Sequence, residues 1–501
     1  MNKLHHIIEQ QSQRQALAPA IFWQDKSISY QDLQDNINQC ITAIEACTQP
    51  GDLVGILALN SPEYIELMYA VPAANRILVP LNTRFSSIAL SQQIQSLDIE
   101  FLLGDAALVN ALKLDASVHC ISLENYQQWI DTHQTMESSS EKLNCTDDCA
   151  LPAWLMFTSG TTGQAKAACL THQSILAGLD SANYGRPVLD KDRYLYPFPL
   201  FHIAAHNVLH QHLHGAAVAL LPSFDAAAVL EICQTKSITT LSLAPTMIAM
   251  LLDHPDFDAD KLQSVRTIGY GASAISPTLL NRVLEQTSCG LSQGFGMTEL
   301  SGTAAFLDAE GHRLAASEKP QLLKSVGKPV PSVELKIIDE SKRPVVTGES
   351  GEIIIRGAQV INSYWKDPEA TNASIIDGWL YTGDIGKFDN EGYLYIVDRK
   401  KDIIVSGGEN IASREVESVL CQFKDVKQAA VVGLPDSKWG ESVFALVEGA
   451  EGAKLEGQVL IDFCKQQLAS YKAPKRIVFG PLPLNASGKV DKKAVREIVS
   501  A

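Results

Sequence analysis

The chain has 501 residues, 46% of them hydrophobic, and a formal net charge of −16 at pH 7. This length and apolar content predict a large core and more than one folding unit. The negative charge disfavours nucleic acids and anionic membranes as partners, because both attract basic faces.

The ends of the sequence and its cysteines give expectations about location. The longest apolar stretch, 241–252, is interrupted by Pro245 and falls well short of the ~20 residues of a membrane span. The first residues lack the apolar run of a secretory signal and the last ones lack a retention address, so we expect a cytoplasmic protein. The ten cysteines lack paired C-x-x-C spacing and are expected to be reduced thiols.

The order of predicted elements indicates an α/β fold. In the first two thirds, helix-like segments alternate with short apolar runs such as 53–58 and 216–221, which is typical of helices flanking mixed or parallel sheets. Short β-branched segments between about 333 and 397 predict an antiparallel, β-rich subdomain. We therefore expect a large N-terminal domain over 1–398 and a small α+β C-terminal domain over 399–501.

A glycine- and hydroxyl-rich segment follows a predicted buried strand at 153–157. Its glycines free the backbone to turn, its hydroxyls can donate to phosphate oxygens, and its lysine supplies a charge. The residues of this predicted phosphate cradle are Thr158, Ser159, Gly160, Thr161, Thr162, Gly163 and Lys166. A polar turn is the alternative. The apolar run 167–170 predicts a second strand rather than the helix that a Walker A loop requires.

Further motifs occur in a fixed order after this segment. They are PLFH at 199–202, GFGMTE at 294–299, YTGD at 381–384, DRKKDIIVSGGENI at 398–411 and NASGKV at 485–490. With the phosphate cradle, this series resembles the adenylate-forming (AMP-binding) superfamily, in its acyl- and aryl-CoA synthetase branch. The resemblance implies an ATP-dependent carboxylic acid–CoA ligase that forms an acyl-adenylate and then a thioester, with ATP, Mg²⁺ and CoA required.

The resemblance also assigns roles in nucleotide binding. It places the β- and γ-phosphates on the cradle, the α-phosphate at Thr298, and Mg²⁺ at Glu299 together with phosphate oxygens. Phe295 would stack on adenine. Asp384 would accept the ribose hydroxyls, joined by Arg399. The remaining adenine-side residues are Gly271, Ala272, Ser273 and Gly296. Without the resemblance, Glu299 could be a helix-start acid and YTGD an ordinary turn.

Three roles in the C-terminal domain follow from the resemblance. Lys489 would lie between the substrate carboxylate and the α-phosphate, where negative charge develops; a solvated surface lysine is the alternative. Lys401 would be the hinge about which this domain swings. The segment delivered to the CoA channel would consist of Ser406, Gly407, Gly408, Glu409 and Asn410.

The acyl pocket is assigned by resemblance to aryl-CoA ligases. Its positions are His202, Ala204, His206, Val208, Gly294 and Gly296, and His202 is also a catalytic candidate. This lining favours an uncharged acyl tail over a second carboxylate, unless His206 faces inward as a cation. The five histidines between 202 and 214 could also suggest zinc, but they lack an H-E-x-x-H arrangement. We expect polar partners for the histidines other than His202.

Other functions remain open at this point. The acyl group could pass to a carrier-protein phosphopantetheine, or the reaction could stop at the adenylate. A nucleotide-binding regulator without activity and a simple ATPase are further alternatives. The sequence leaves open a homodimer and the identity of the acid. The family pattern is also broken at Ala165 and Ala167, which stand where relatives carry Pro and Gly.

Lys489→Ala tests the assigned catalytic lysine. We expect the substitution to abolish adenylate formation, because the developing negative charge loses its ammonium, and largely to spare thiolysis of a supplied acyl-adenylate. The two half-reactions are measured separately. Equal loss of both would contradict the role.

Overall fold

A computed structural model describes residues 1–134, 148–158, 166–271, 275–450, 452–485 and 490–501. The chain forms two compact units, one of residues 1–335 and 355–380 and the other of residues 336–354 and 381–501. The domain boundary expected at 398/399 stays a prediction. These two units are defined by contacts within the chain and do not show which residues move together. Among the described residues, no helix combines the length and apolar character that crossing a membrane requires.

Sixteen α-helices lie within the described residues. They are α1 His6–Gln15, α2 Tyr30–Cys47, α3 Pro62–Ala73, α4 Ser87–Ser96, α5 Ala106–Val109, α6 Tyr126–Gln134, α7 His172–Gly185, α8 His206–Leu213, α9 Ala226–Thr235, α10 Pro245–Leu252, α11 Pro277–Gln286, α12 Ala309–Ser317, α13 Pro368–Ser374, α14 Ser413–Leu420, α15 Gly457–Gln467 and α16 Lys492–Ser500.

Twenty-six strands are present in the same part of the chain. They are β1 Pro19–Trp23, β2 Lys26–Ser29, β3 Leu53–Leu57, β4 Ile77–Pro80, β5 Phe101–Gly104, β6 His119–Ser122, β7 Pro152–Thr158, β8 Lys166–Thr171, β9 Arg193–Tyr196, β10 Ala217–Leu220, β11 Thr240–Ser242, β12 Thr267–Gly271, β13 Gly290–Met297, β14 Gly302–Leu307, β15 Lys328–Pro329, β16 Glu334–Ile338, β17 Gly351–Arg356, β18 Ser363–Tyr364, β19 Ile375–Ile376, β20 Trp379–Phe388, β21 Leu394–Arg399, β22 Ile404–Ser406, β23 Glu409–Ile411, β24 Val426–Asp436, β25 Gly440–Gly449 and β26 Arg476–Phe479.

The first unit is built on two mixed sheets. One has nine strands in the order β15-β14-β13-β12-β11-β9-β10-β1-β2, and the other has seven in the order β18-β8-β7-β4-β3-β5-β6. Their central pairs, such as β12 with β13 and β3 with β4, are parallel. Strands β3, β4 and β10 are buried along their whole length, because parallel strands are covered on both faces. The predicted α/β class is confirmed.

The second unit is richer in antiparallel strands. Strands β20 and β21 form one antiparallel pair and β24 and β25 another, and β26 joins β25 in parallel. Helix α14 carries Val416 and Leu420 into a core that also contains Val431 and Val443. The β-rich texture expected between 333 and 397 is present, as are the strands and the helix expected after residue 402.

Helix α7 fixes the turn that follows β13. Its first residues form a capping box in which the Thr171 hydroxyl accepts from the Ser174 N–H and the Ser174 hydroxyl accepts from the Thr171 N–H, both at 3.0 Å. The Ser301 hydroxyl in turn donates to the Ser174 hydroxyl at 2.9 Å. One turn further along α7, a Cβ placed on Gly178 would lie 2.4 Å from the Ser301 carbonyl oxygen. The close approach of α7 to this turn therefore depends on glycine.

Gly178→Ala will lower the free energy of unfolding by about 1–3 kcal/mol, because the added methyl must displace backbone rather than a flexible side chain. Urea denaturation measures the change. Gly457→Ala is the matched control, since its Cβ would lie at an ordinary 3.7 Å from Ile477. Equal stability of the two variants would contradict the close contact at residue 178.

Candidate active site

The predicted phosphate cradle joins two antiparallel strands. Thr158 ends β7, Lys166 begins β8, and the two residues are register partners. The expected second strand is confirmed, which distinguishes this loop from a Walker A loop. The rest of the cradle lies outside the described residues, namely Ser159, Gly160, Thr161, Thr162 and Gly163.

Tyr364 connects the lysine of the cradle to the predicted metal ligand. The Lys166 Nζ lies 5.1 Å from the centre of the Tyr364 ring, within the range of a cation–π interaction. The Tyr364 hydroxyl donates to Glu299 Oε1 at 2.9 Å. Burial, and then the Glu299 carboxylate, raise the pKa of Tyr364 well above its usual value, so the hydroxyl keeps its proton. The structure thus brings Lys166 and Glu299 to one tyrosine.

Thr298 and Glu299 belong to a short 3₁₀ turn, Thr298–Leu300, directly after β13. The turn ends at Ser301 in the left-handed conformation, with φ of 48°, and the Glu299 carbonyl accepts the Ile361 N–H at 3.0 Å. Among the described residues no lysine or arginine is ion-paired with Glu299. A carboxylate with one oxygen held by a hydroxyl and no basic partner fits Mg²⁺, which prefers few carboxylates and substrate oxygens.

Glycines line the adjoining strands. Gly271 at the end of β12 is the register partner of Gly294 on β13, and a Cβ at Gly271 would lie 3.0 Å from the Gly294 carbonyl oxygen. A Cβ at Gly296 would lie 2.0 Å from the Gly302 carbonyl oxygen. Any side chain there would push β14 away. Phe295, the predicted adenine contact, is half-buried between them, and Ala272 and Ser273 lie outside the described residues.

The predicted acyl-pocket residues cluster around the start of α8. His202 caps the turn Ile203–Ala205, its Nδ1 accepting the Ala204 N–H at 3.2 Å. His206 places its Nδ1 2.8 Å from the Ile203 carbonyl oxygen, and its Nε2 lies 3.4 Å from where a Cβ of Gly302 would be. Val208 is fully buried in the main core. Burial lowers the pKa of His206 to about 4, so at neutral pH this histidine carries no charge.

The expectation of polar partners for these histidines is partly wrong. His210 Nε2 lies 3.4 Å from the Asn183 side-chain oxygen, and His212 contacts both the Tyr69 hydroxyl and a backbone carbonyl. The Nε2 atoms of His206 and His214, however, are buried without a hydrogen-bond partner among the residues that the structure describes. In His206 the reason is geometric: Nδ1 is bound to its own turn, which directs Nε2 toward Gly302, where no donor lies.

In the second unit, the predicted ribose contacts are paired with each other. Asp384 is 2% exposed, and its Oδ1 accepts from the Arg399 Nε at 2.6 Å. They are register partners on β20 and β21. Gly383, with φ of +68°, precedes the aspartate and leaves open space beside it. The two residues are adjacent as predicted, and their contact with ribose stays a prediction.

The predicted hinge and CoA segment are exposed. Lys401 lies in the 3₁₀ turn Lys400–Asp402, next to Asp398, whose buried carboxylate accepts the Ser413 hydroxyl at 2.7 Å. Ser406 and Glu409 are partners in the hairpin of β22 and β23. Its tip has Gly407 and Gly408 at φ of 62° and 84° with Asn410 following, also exposed. Lys489 lies outside the described residues.

Two family profiles match this chain. The AMP-binding enzyme profile covers residues 8–365, and the AMP-binding enzyme C-terminal domain profile covers residues 415–489. The chain belongs to the AMP-binding enzyme family. The resemblance inferred from the motifs is therefore confirmed.

The relatives of this AMP-binding enzyme that have names are mostly ligases that join an acid to a thiol. Feruloyl-CoA synthase of Amycolatopsis sp is 32% identical over 94% of both chains. A fatty acid–[acyl-carrier-protein] ligase, ScoC of Streptomyces coeruleorubidus, is 31% identical over 99% of this chain and 98% of its own length. The o-succinylbenzoate CoA synthetase of Bacillus subtilis, in complex with ATP and magnesium, superposes with a TM-score of 0.85 at 29% identity over 99% of both chains. Family and relatives support an AMP-forming acid–thiol ligase that uses ATP, Mg²⁺ and CoA, as predicted.

Tyr364 was missed by the sequence reasoning. It lies in the segment INSYWKD at 361–367, which matches no motif quoted above. Only the pairing of β18 with β8, in which Tyr364 faces Ala168, places it beside the cradle.

Tyr364→Phe will reduce adenylate formation by about ten- to a hundredfold and raise the Mg²⁺ concentration needed for half-maximal rate, because Glu299 loses the hydroxyl that orients it. The rate of acid-dependent ATP–pyrophosphate exchange measures both effects. Tyr184→Phe, at a tyrosine that is 62% exposed, is the control. An unchanged Mg²⁺ dependence in Tyr364→Phe would contradict the positioning role.

Proposed function

We propose that this AMP-binding enzyme converts a small-molecule carboxylic acid to its CoA thioester. The reaction has two steps. A carboxylate oxygen attacks the α-phosphorus of ATP, and the bond to the β-phosphate breaks to release pyrophosphate. The CoA thiol then attacks the acyl carbon of the adenylate, loses its proton, and AMP leaves. The adenylate is needed because a carboxylate at neutral pH has only oxide as a leaving group.

The observation that carries this proposal is the Lys166–Tyr364–Glu299 arrangement beside the Thr298 turn. Lys166 supplies a positive charge where the cradle would hold the departing pyrophosphate. Glu299 would hold Mg²⁺, which neutralises phosphate charge when bound. The Thr298 hydroxyl would donate to the α-phosphate. Lys166 begins strand β8, and Thr298 and Glu299 lie in the turn that directly follows strand β13. Groups oriented in this way before the reaction would stabilise the developing charge.

The second unit supplies the remaining roles in the proposal. Asp384 and Arg399 would contact ribose. Lys489 would enter for adenylate formation and leave for thiolysis, with Lys401 as hinge and residues 406–410 next to the pantetheine chain. A boundary of moving domains near 398/399 belongs to this proposal. A cytoplasmic location and a homodimer also stay predictions.

A carrier protein is the alternative acceptor, because ScoC, whose name specifies acyl-carrier protein, matches this chain nearly end to end. CoA is favoured by the other relatives, including feruloyl-CoA synthase. In either case the thiol belongs to a phosphopantetheine group, so the chemistry at the acyl carbon is the same.

A panel of carboxylic acids tests the function. Purified protein with ATP, Mg²⁺ and CoA should release AMP and pyrophosphate only with an accepted acid and should form the CoA thioester in equal amount. If thioester formation requires a carrier protein and CoA does not support it, the acceptor of the acyl group is the carrier protein and not CoA. Release of ADP, or hydrolysis of ATP without acid dependence, would contradict the proposal.

A further inference from the structure

An arginine lies at the glycine-lined face where the acyl pocket is proposed. Arg186 directly follows helix α7 and is half-buried. A Cβ at Gly269 would lie 2.5 Å from its Nη1, and a Cβ at Gly294 would lie 2.8 Å from its Nη2. These glycines are on the neighbouring strands β12 and β13. The space for the guanidinium therefore exists because two residues of the sheet have no side chain.

The guanidinium has few polar contacts. Nη1 donates to the Ser242 hydroxyl at 3.3 Å, a hydroxyl that also accepts from Tyr194 at 2.8 Å. Its central carbon lies 5.3 Å from the centre of the Phe306 ring. Nε is buried without a partner, and no ion pair of the described residues includes Arg186. Burial lowers the pKa of Arg186, and the opposing influence comes from Tyr194.

Other arginines of the same unit differ from Arg186 in this respect. Arg266 pairs with the buried carboxylate of Asp192 through two nitrogens. Arg76 donates to three oxygens, the Thr48 hydroxyl and the carbonyls of Thr48 and Ala74. A desolvated charge is costly unless it is paired. Within the described residues, Arg186 thus has neither the carboxylate of Arg266 nor the three oxygen acceptors of Arg76.

The position of Arg186 relates it to the acyl group. Side chains two residues apart on a strand share a face, so Gly269 and Gly271 face the same side, and Gly294 shares it as the register partner of Gly271. Each two-residue step spans roughly 7 Å. Arg186 contacts the sheet at Gly269 and Gly294, which is one two-residue step from Gly271 and Gly296, the glycines assigned to the nucleotide side. Thr298 lies one further step along the chain from Gly296. The guanidinium is therefore roughly 7–13 Å along the strands from the Thr298 turn, where the reacting carboxylate is proposed to lie.

His206 cannot supply a positive charge here, because burial lowers its pKa to about 4. Among the described residues, Arg186 is a cation at this pocket that the motifs did not indicate. The sequence predicted an uncharged acyl tail because His206 was the cation candidate among the assigned pocket residues, and Arg186 was not among them.

We propose that the preferred acids carry a second carboxylate at the far end of the acyl chain and that Arg186 binds it. A carboxylate would supply the missing counter-charge and can accept two parallel N–H bonds from one guanidinium. The Ser242 hydroxyl, already an acceptor from two neighbours, can turn its proton toward the same carboxylate. This inference rests on the proposed function, because it concerns the acid that the ligase activates.

Matched pairs of acids test the inference on the full-length protein. Adipate is compared with hexanoate, suberate with octanoate, and terephthalate with 4-methylbenzoate, each with ATP, Mg²⁺ and CoA. The measured quantity is kcat/KM for AMP release. In at least one pair the diacid should exceed its partner by about ten- to a hundredfold, the range for a charge-assisted hydrogen bond.

Substitutions at Arg186 show whether the guanidinium causes the preference. Arg186→Gln should remove or invert the ratio of kcat/KM between diacid and monoacid, and Arg186→Lys should retain part of this ratio. Arg282→Gln, at a surface arginine paired with Asp253, should leave all ratios unchanged. If the Arg186 variants do not fold, the ratios of the unmodified protein still decide.

The outcomes separate this inference from the proposed function. AMP release with monocarboxylates and no diacid preference in any pair would overturn the inference and leave the ligase function intact. A diacid preference that persists in Arg186→Gln would also overturn it. AMP release with no acid at all would instead count against the function itself.

Discussion

The nucleotide side of the first unit depends on the placement of one tyrosine. Tyr364 belongs to a strand of only two residues, which pairs with β8 and is continued by a hydrogen bond of 2.8 Å from the Trp365 N–H to the Ala167 carbonyl. Its ring lies against Lys166 and its hydroxyl binds Glu299. Because one side chain contacts both groups, it orients the lysine proposed for the departing phosphates and the carboxylate proposed for the metal before any ligand binds. Such preorganisation is what charge stabilisation in a transition state requires.

A second constraint is the balance of charge. The protein carries a net charge of −16, yet its proposed ligands are polyanions. Positive side chains at the binding site must therefore outweigh the repulsion that the net negative charge exerts on these ligands. Lys166 and Arg186 are the cations proposed for this purpose, since neither is paired with a carboxylate among the described residues. Both are held by aromatic rings, Tyr364 and Phe306 respectively. A ring stabilises a cation without neutralising it, which leaves the charge available to a ligand.

The sequence predicted the elements that local chemistry determines. The strand–loop–strand around the cradle, the α/β class and the adjacency of Asp384 and Arg399 follow from patterning and from motifs. Tyr364 and Arg186 could not be predicted in this way, because the side chains that they contact, Glu299 and Ser242, lie 65 and 56 residues away along the chain. An arginine at a helix end is also an ordinary complement to the helix dipole, so its sequence context gave no sign of a binding role. The sequence did not predict that the Nε2 atoms of His206 and His214 are buried without partners among the described residues, because the spacing of residues does not show which groups meet in the folded chain.

The central claim is that the acid attacks the α-phosphorus of ATP at the Thr298 turn. Transfer of oxygen from labelled substrate tests it directly. With an accepted acid labelled with ¹⁸O in its carboxylate, the account predicts AMP that carries one labelled oxygen on phosphorus, measured by mass spectrometry, because the bridging oxygen of the acyl-adenylate leaves with AMP. Unlabelled AMP, or label in inorganic phosphate together with ADP, would contradict it.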